Sequence, residues 1–196
     1  MIIGIDLDNT IIDYRKAFWY TSLSMEIFSE KEAQLFSLKD GTVPNKNQIK
    51  HRLVYEEKNE FKWELLQGQV YGRYIKNASI YPGVFNFLIH CKRRGVRVYI
   101  ISHKTKFGHH DASQTSLRKE ALLFLKQNNF FSEEYGINEK DILFFDTRSE
   151  KVNKVAELNC SYFIDDLLEV FREKSFPEKT KKILFDINAK DRRDQT

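Results

Sequence analysis

Met1-Ile2-Ile3-Gly4-Ile5-Asp6-Leu7-Asp8-Asn9-Thr10 opens the chain with an apolar, largely β-branched run that ends on two carboxylates one residue apart. Such a run reads as a buried strand. In an open α/β sheet ligands bind beyond the carboxyl ends of the strands, which puts Asp6 and Asp8 at the mouth of a site. Strand side chains alternate, so the two aspartates share a face only while the backbone stays extended. A turn just after Asp6 would give them different tasks. Taken alone, Asp6 to Thr10 is equally compatible with an Asp/Asn/Thr turn that merely closes a strand.

Downstream, the pattern predicts helices at residues 12–28, 47–58 and 60–77, with a turn at Gly41-Thr42-Val43-Pro44-Asn45. Tyr81-Pro82-Gly83 introduces a helix with Val84, Phe85, Leu88 and Ile89 on one face, stopped by Gly95. Residues 96–101 form a second strand that ends on Ser102. After a polar loop at 103–115, Ser116 caps a helix whose apolar stripe is Leu117, Ala121, Leu122 and Leu125. Residues 141–146 give a third strand. A helix begun by Lys151 leads to a fourth at 162–164, which ends on Asp165-Asp166. A last helix around 167–174 precedes a fifth strand at 182–185, and the polar tail from 188 is expected to fray.

Strands alternating with helices imply crossover connections and a parallel sheet. The first two strands are separated by far more chain than one crossover needs. The surplus reads as an inserted helical cap at 13–78, with a core formed by 1–12 and 79–196.

Composition narrows the class. Of the 196 residues, 31% are charged and 41% hydrophobic, a soluble globular balance able to bury about 70% of its unfolded surface without disulfides. The net charge of +4 is mild and its lysines and glutamates are interspersed, so no concentrated nucleic-acid footprint is expected. Cys91 and Cys160 stand at no metal-type spacing and read as reduced core residues. No apolar run reaches membrane-spanning length. A strand starting at Ile2 leaves no stretch for a secretory leader, and a cytoplasmic protein is expected.

The chemistry lies in what parallel topology collects at one sheet edge: Asp6 and Asp8, Ser102, Asp146, and Asp165 with Asp166. So many acidic groups repel unless a cation sits among them. Oxygen donors without His or Cys suit a hard ion, and Mg²⁺ prefers few protein ligands plus a substrate phosphate. Each piece also has an ordinary reading: a loop hydroxyl, a solvated lysine, a helix cap. Their order along one sheet is what makes coincidence a poor explanation.

That order, DLDNT, then IIS, then a lysine, then FIDD, resembles the haloacid dehalogenase (HAD) superfamily of phosphohydrolases from Ile2 to about Phe185. The resemblance implies a Rossmann-like three-layer α/β core, a five-stranded parallel sheet of order 5-4-1-2-3, and a small α-helical cap after the first strand. It implies that Asp6 is a nucleophile forming an aspartyl-phosphate and that Asp8 is the general acid/base, its backbone carbonyl holding the metal. Thr10 would support the loop, Asn9 and Ser102 would bind the phosphoryl group, and Lys151 would neutralise charge between Asp6 and the phosphate. Mg²⁺ would sit on Asp6, Asp8 and Asp166, with Asp165 contributing indirectly. An aspartate at position 8 favours a phosphatase, because the namesake dehalogenases lack one there.

Substrate candidates are Trp63, Gln67 and Tyr71, recurring every fourth residue on one predicted helix, His103 and Lys104 directly after Ser102, and Arg148 past the third strand. The aromatics are equally placed to build a core within the cap, with Gly68 and Gly72 allowing close helix packing. The leading expectation is a Mg²⁺-dependent phosphomonoesterase acting on a small cytoplasmic phosphometabolite. A deoxyribonucleotidase-like enzyme is the rival, suggested by Asp146-Thr147-Arg148, and would need a cap aromatic stacked on a base. A binding module without turnover is the alternative of another class. The sequence leaves the oligomeric state open.

Overall fold

The computed structural model describes residues 1–38, 43–110 and 112–187. Five strands form the sheet: β1 (Ile2–Ile5), β2 (Arg97–His103), β3 (Ile142–Phe145), β4 (Tyr162–Asp165) and β5 (Lys181–Leu184). All neighbours are parallel, in the order β3-β2-β1-β4-β5. From the other edge this is 5-4-1-2-3, the order expected. Two further short strands, Ile12–Asp13 and Ser79–Ile80, pair only with each other, antiparallel, and stay outside the sheet.

Helices cover both faces. Ile3, Ile5, Val98 and Ile100 pack with Leu88 and Cys91 of α5 (Val84–Arg93) and with Ala121, Phe124 and Leu125 of α6 (Leu117–Gln127). On the other face Ile101 and Phe163 pack with Val152 and Val155 of α7 (Arg148–Glu157) and Val170 and Phe171 of α8 (Leu168–Phe171). Gly4 is dictated by this second layer: a Cβ there would lie 2.7 Å from Phe163 Cδ2 and 3.2 Å from Cys160 Sγ. Close packing of the central strand leaves no room for a side chain.

Between the first two sheet strands lie α1 (Arg15–Ser24), α2 (Glu30–Leu38), α3 (Lys46–Lys50), which widens into a π-helical turn at His51–Glu56, and α4 (Glu60–Tyr71). Their apolar faces, including Phe18, Ile49, Leu53, Trp63 and Leu66, join the same cluster as α5 and α6. No helix of the described residues is long and apolar enough to cross a membrane.

Several boundaries differ from the sequence pattern, each for a local reason. The first helix starts at Arg15 rather than 12, because Ile12 and Asp13 are spent on the short ladder to Ile80 and Ser79. α2 was not anticipated. The helix from 60 stops at Tyr71, and residues 75–77 form a separate 3₁₀ turn. β2 continues through Ser102 and His103, which pair with Phe144 and Phe145, so Ser102 lies inside a strand. Asp141 is not in a strand: it closes a 3₁₀ turn by accepting from Asn138 N at 2.8 Å and pairs with Arg97 Nη2 at 2.5 Å. α7 begins at Arg148 behind a Thr147–Glu150 capping box, which puts Lys151 in its second turn. Of the expected turn at 41–45, residues 41 and 42 lie outside the described residues, as does the tail from 188.

Candidate active site

The backbone turns directly after Asp6, and that turn separates the two aspartates. Asp6 N still donates to Ile164 O of β4 at 2.9 Å, but Ile11 N and Ile12 N both reach back to Leu7 O at 3.0 Å. Asn9 takes the left-handed conformation this requires, φ 60°, which asparagine tolerates better than most residues. Asp6 Oδ1 therefore meets Lys151 Nζ at 2.5 Å, whereas Asp8 turns to other partners. Asp8 Oδ1 accepts from the Tyr14 hydroxyl at 2.7 Å, and Asp8 Oδ2 lies 2.8 Å from Lys104 Nζ.

Lys151 is buried and bridges two strand ends, donating also to Asp165 Oδ2 at 2.6 Å. Asp165 Oδ1 accepts from Leu167 N at 2.9 Å, so both of its oxygens are engaged. The Asp6 carboxyl is pushed up to about 8 by desolvation, against the pull of Lys151 and with Asp165 and Asp8 adding repulsion. Asp166 is pushed up to about 6 by burial and by Asp165, against Lys46 and Lys151. Asp6, Asp165 and Asp166 each offer an oxygen within 4.8 Å of one another, the one such metal-ligating group among the described residues. One lysine does not compensate this much buried negative charge, and an all-oxygen donor set of this kind fits a hard divalent cation.

A cavity of about 290 Å³ opens over this cluster. Its floor is Asp6, Asp8, Asn9, Lys151 and Asp166, its walls include His103, Lys104 and Arg148, and its roof is Lys46, Gln67 and Tyr71. His103 Nε2 lies 3.0 Å from Asp146 O. Desolvation pushes the His103 imidazole's pKa down, as do the charges of Lys151 and Arg148, and the Asp146 carbonyl only partly opposes this. Ser102 Oγ is fully buried at the end of β2 without a hydrogen-bond partner, a costly state for a hydroxyl.

No family model matches the sequence, and no curated protein does either. Solved structures do. A hydrolase from Streptococcus pneumoniae TIGR4 is 14% identical over 94% of this chain and 92% of its own, with a TM-score of 0.52. A family IA, variant 3 HAD hydrolase from Entamoeba histolytica is 13% identical over 92% and 82%, TM-score 0.50. A HAD family hydrolase from Deinococcus radiodurans R1, solved with bound phosphate and sodium, is 10% identical over 92% and 78%, TM-score 0.50. The fold is that of the HAD superfamily.

On this HAD fold the structure brings together Asp6, Asp8, Asn9, Lys151 and Asp166, with Gln67, Tyr71, His103, Lys104 and Arg148 around them. Trp63 is not among them. It is 5% exposed and stacks on Phe18, ring centroids 5.9 Å apart, so its expected contact with substrate is replaced by a place in the core. Asp165 and Thr10 are buried behind the cavity wall, and Thr10 Oγ1 has no hydrogen-bond partner. Gly68 serves a contact other than helix packing: a Cβ at Gly108, in the loop after β2, would lie 2.6 Å from Gly68 Cα. Beside this seam His110 Nε2 lies 2.8 Å from Glu64 Oε2, which holds the loop against α4.

Lys46 was missed. It follows the N-cap Asn45 as the first residue of α3, inside the Asn45–Gln48 capping box, where a cation opposes the helix dipole. That unfavourable placement was the available signal. Its pKa is raised: burial works against the charge, but the Tyr71 hydroxyl and the carboxylates of Asp166 and Asp8 outweigh it.

Proposed function

We propose that the protein is a Mg²⁺-dependent phosphomonoester hydrolase acting on a small cytoplasmic phosphometabolite through an aspartyl-phosphate on Asp6. The observation that carries the reading is the separation of the two aspartates. Asp6 points into the site against Lys151, while Asp8, two residues on, is held by Tyr14 and Lys104. A nucleophile and a proton carrier need this division, which a plain turn does not.

The chain's residues then take the following parts. Asp6 attacks phosphorus with its free oxygen, and the ester oxygen leaves with the proton carried by Asp8. Asp8 next takes a proton from the water that hydrolyses the acyl phosphate. Lys151 stays on Asp6 and meets the charge of the incoming phosphoryl oxygens. In this reading Ser102 Oγ, buried and unpartnered, and the turn at Asn9 would donate to those oxygens. The metal would rest on Asp6, Asp166 and the Asp8 carbonyl, because both oxygens of Asp165 are already engaged. Bound there, it supplies the electrostatic stabilisation that lets a carboxylate approach a phosphate dianion. Residues 13–78 form the cap in this reading, with the Ile12–Asp13 and Ser79–Ile80 ladder as its stalk.

Neither expected cap aromatic is free to stack on a base. Trp63 is committed to Phe18, and Lys104 Nζ and Lys46 Nζ sit over the Tyr71 ring at 4.8 and 5.6 Å from its centroid. A small non-nucleotide substrate fits this better. The test is phosphate release from p-nitrophenyl phosphate with Mg²⁺, with EDTA, and in Asp6→Asn. Release that needs the metal and disappears in the variant supports the proposal; release independent of Asp6 refutes it.

A further inference from the structure

Four cations face the cavity, and in the phosphoryl chemistry just described one of them, Lys151, meets the transferred group. Lys151 spends its donors on Asp6 and Asp165. Arg148 has Glu173 Oε1 at 3.5 Å. Lys46 from the roof and Lys104 from the wall complete the set, Lys104 with a single carboxylate, Asp8, beside it.

Lys104 is 3% exposed. Its Nζ lies 2.8 Å from Asp8 Oδ2 yet makes no hydrogen bond of acceptable geometry. An ammonium carries three donors, and burying them unspent is costly. Lys46 has no carboxylate within ion-pair reach among the described residues; the Tyr71 hydroxyl supports it, and the rings of Phe18 and Tyr71 lie 5.8 and 5.6 Å away. The two ammonium groups therefore share Tyr71 as a common support, while the carboxylates gather at the floor.

We infer that the substrate carries, besides its phosphoryl group, a second anionic group on a short carbon chain, held between Lys46 and Lys104. An anion is the ligand that satisfies unspent ammonium donors best, since charge-assisted hydrogen bonds are about twice as strong as neutral ones. The chain is short because the cavity, about 290 Å³, lies at the lower end of ligand-pocket sizes. The inference rests on the phosphatase reading for which end of the molecule reacts, but not for its two-anion character.

The test compares two probes that differ chiefly in one group: 3-phosphoglycerate, which carries a carboxylate, and glycerol 3-phosphate, which carries a hydroxymethyl instead. In the unaltered protein with Mg²⁺ the carboxylate probe should have a kcat/KM at least about tenfold higher. Lys46→Gln and Lys104→Met, the second keeping most of the stem's packing, should each bring that ratio towards one. Calorimetric binding of both probes to Asp6→Asn supplies a readout without turnover, and there too the carboxylate probe should bind about tenfold more tightly. A binding ratio near one overturns the inference, as does a preference that neither lysine variant reduces. Selective binding without turnover of any phosphomonoester would refute the phosphatase reading while supporting the two-anion site.

Discussion

The sheet edge and the helical segment above it solve different problems with similar residues. At the edge, Asp6 and Asp165 are fixed by strand ends and bridged by Lys151 of α7 at 2.5 and 2.6 Å. In the roof, Lys46, Gln67 and Tyr71 come from α3 and α4 and are held mainly by ring contacts. In the first set parallel topology positions Asp6 and Asp165, and α7 behind its capping box brings Lys151 to them. The second depends on how a group of short helices packs, and one of them widens into a π turn. In the proposed reading the edge sets the reaction type and the roof, with Lys104 of the wall, the substrate, and the Gly68–Gly108 seam joins the two regions.

The largest effects should come from the edge. Asp6→Asn should lower kcat with p-nitrophenyl phosphate roughly 10⁴-fold or more, as loss of a nucleophile does. Asp8→Asn should cost roughly 10²–10⁴-fold, the usual worth of a general acid/base, with Mg²⁺ binding by calorimetry largely retained because only the backbone carbonyl is assigned to the metal. Equal losses of metal binding in both variants would erase the division of labour between the two aspartates.

Smaller effects should come from the seam and the helical segment. Gly108→Ala forces a Cβ to within 2.6 Å of Gly68 Cα. Overpacking of this kind costs about 1–3 kcal/mol, a Tm drop of roughly 2–12 °C for a chain of this size. KM should rise more than kcat falls, since the roof moves and the edge does not. An unchanged Tm would show the seam to be soft.

The smallest test lies wholly within the helices, where Arg52 Nη1 reaches Glu32 Oε1 at 2.6 Å. This bond, helped by Ser29, holds the Glu32 carboxyl down at about 2, below its ordinary 4.5. A carboxyl lowered in the folded state stabilises above its unfolded value, and that contribution disappears as pH falls from 4.5 towards 2. The pair is partly exposed, so solvent screening limits it to about 0.5 kcal/mol. Thermal unfolding of Arg52→Ala should show a correspondingly shallower loss of Tm across that window.

The same contrast decides what could be read from sequence. Asp6, Asp8, Lys151 and Asp165-Asp166 were legible because each sits at or near a strand end, and strand period and parallel order bring those ends together. Trp63 misled because helical spacing is not quite four residues per turn. Each step of four advances about 40° beyond a full turn, so along Trp63, Gln67 and Tyr71 the stripe rotates from the core into the cavity. Lys46 offered only its unfavourable place at a helix start, and the Gly68–Gly108 contact was out of reach of any local pattern, since it is a product of packing between distant segments. Ser102 lies inside its strand rather than just past it, because its pairing with Phe144 keeps the backbone extended past Ile101, and it is not among the residues that line the cavity.

The claim most open to direct measurement is that Asp6 carries the phosphoryl group. Asp8→Asn protein, acid-quenched during reaction with p-nitrophenyl phosphate and Mg²⁺, should yield one phosphoryl adduct mapping by mass spectrometry to the peptide that contains Asp6. An adduct on another residue, or turnover proceeding with no adduct at all, would contradict the account.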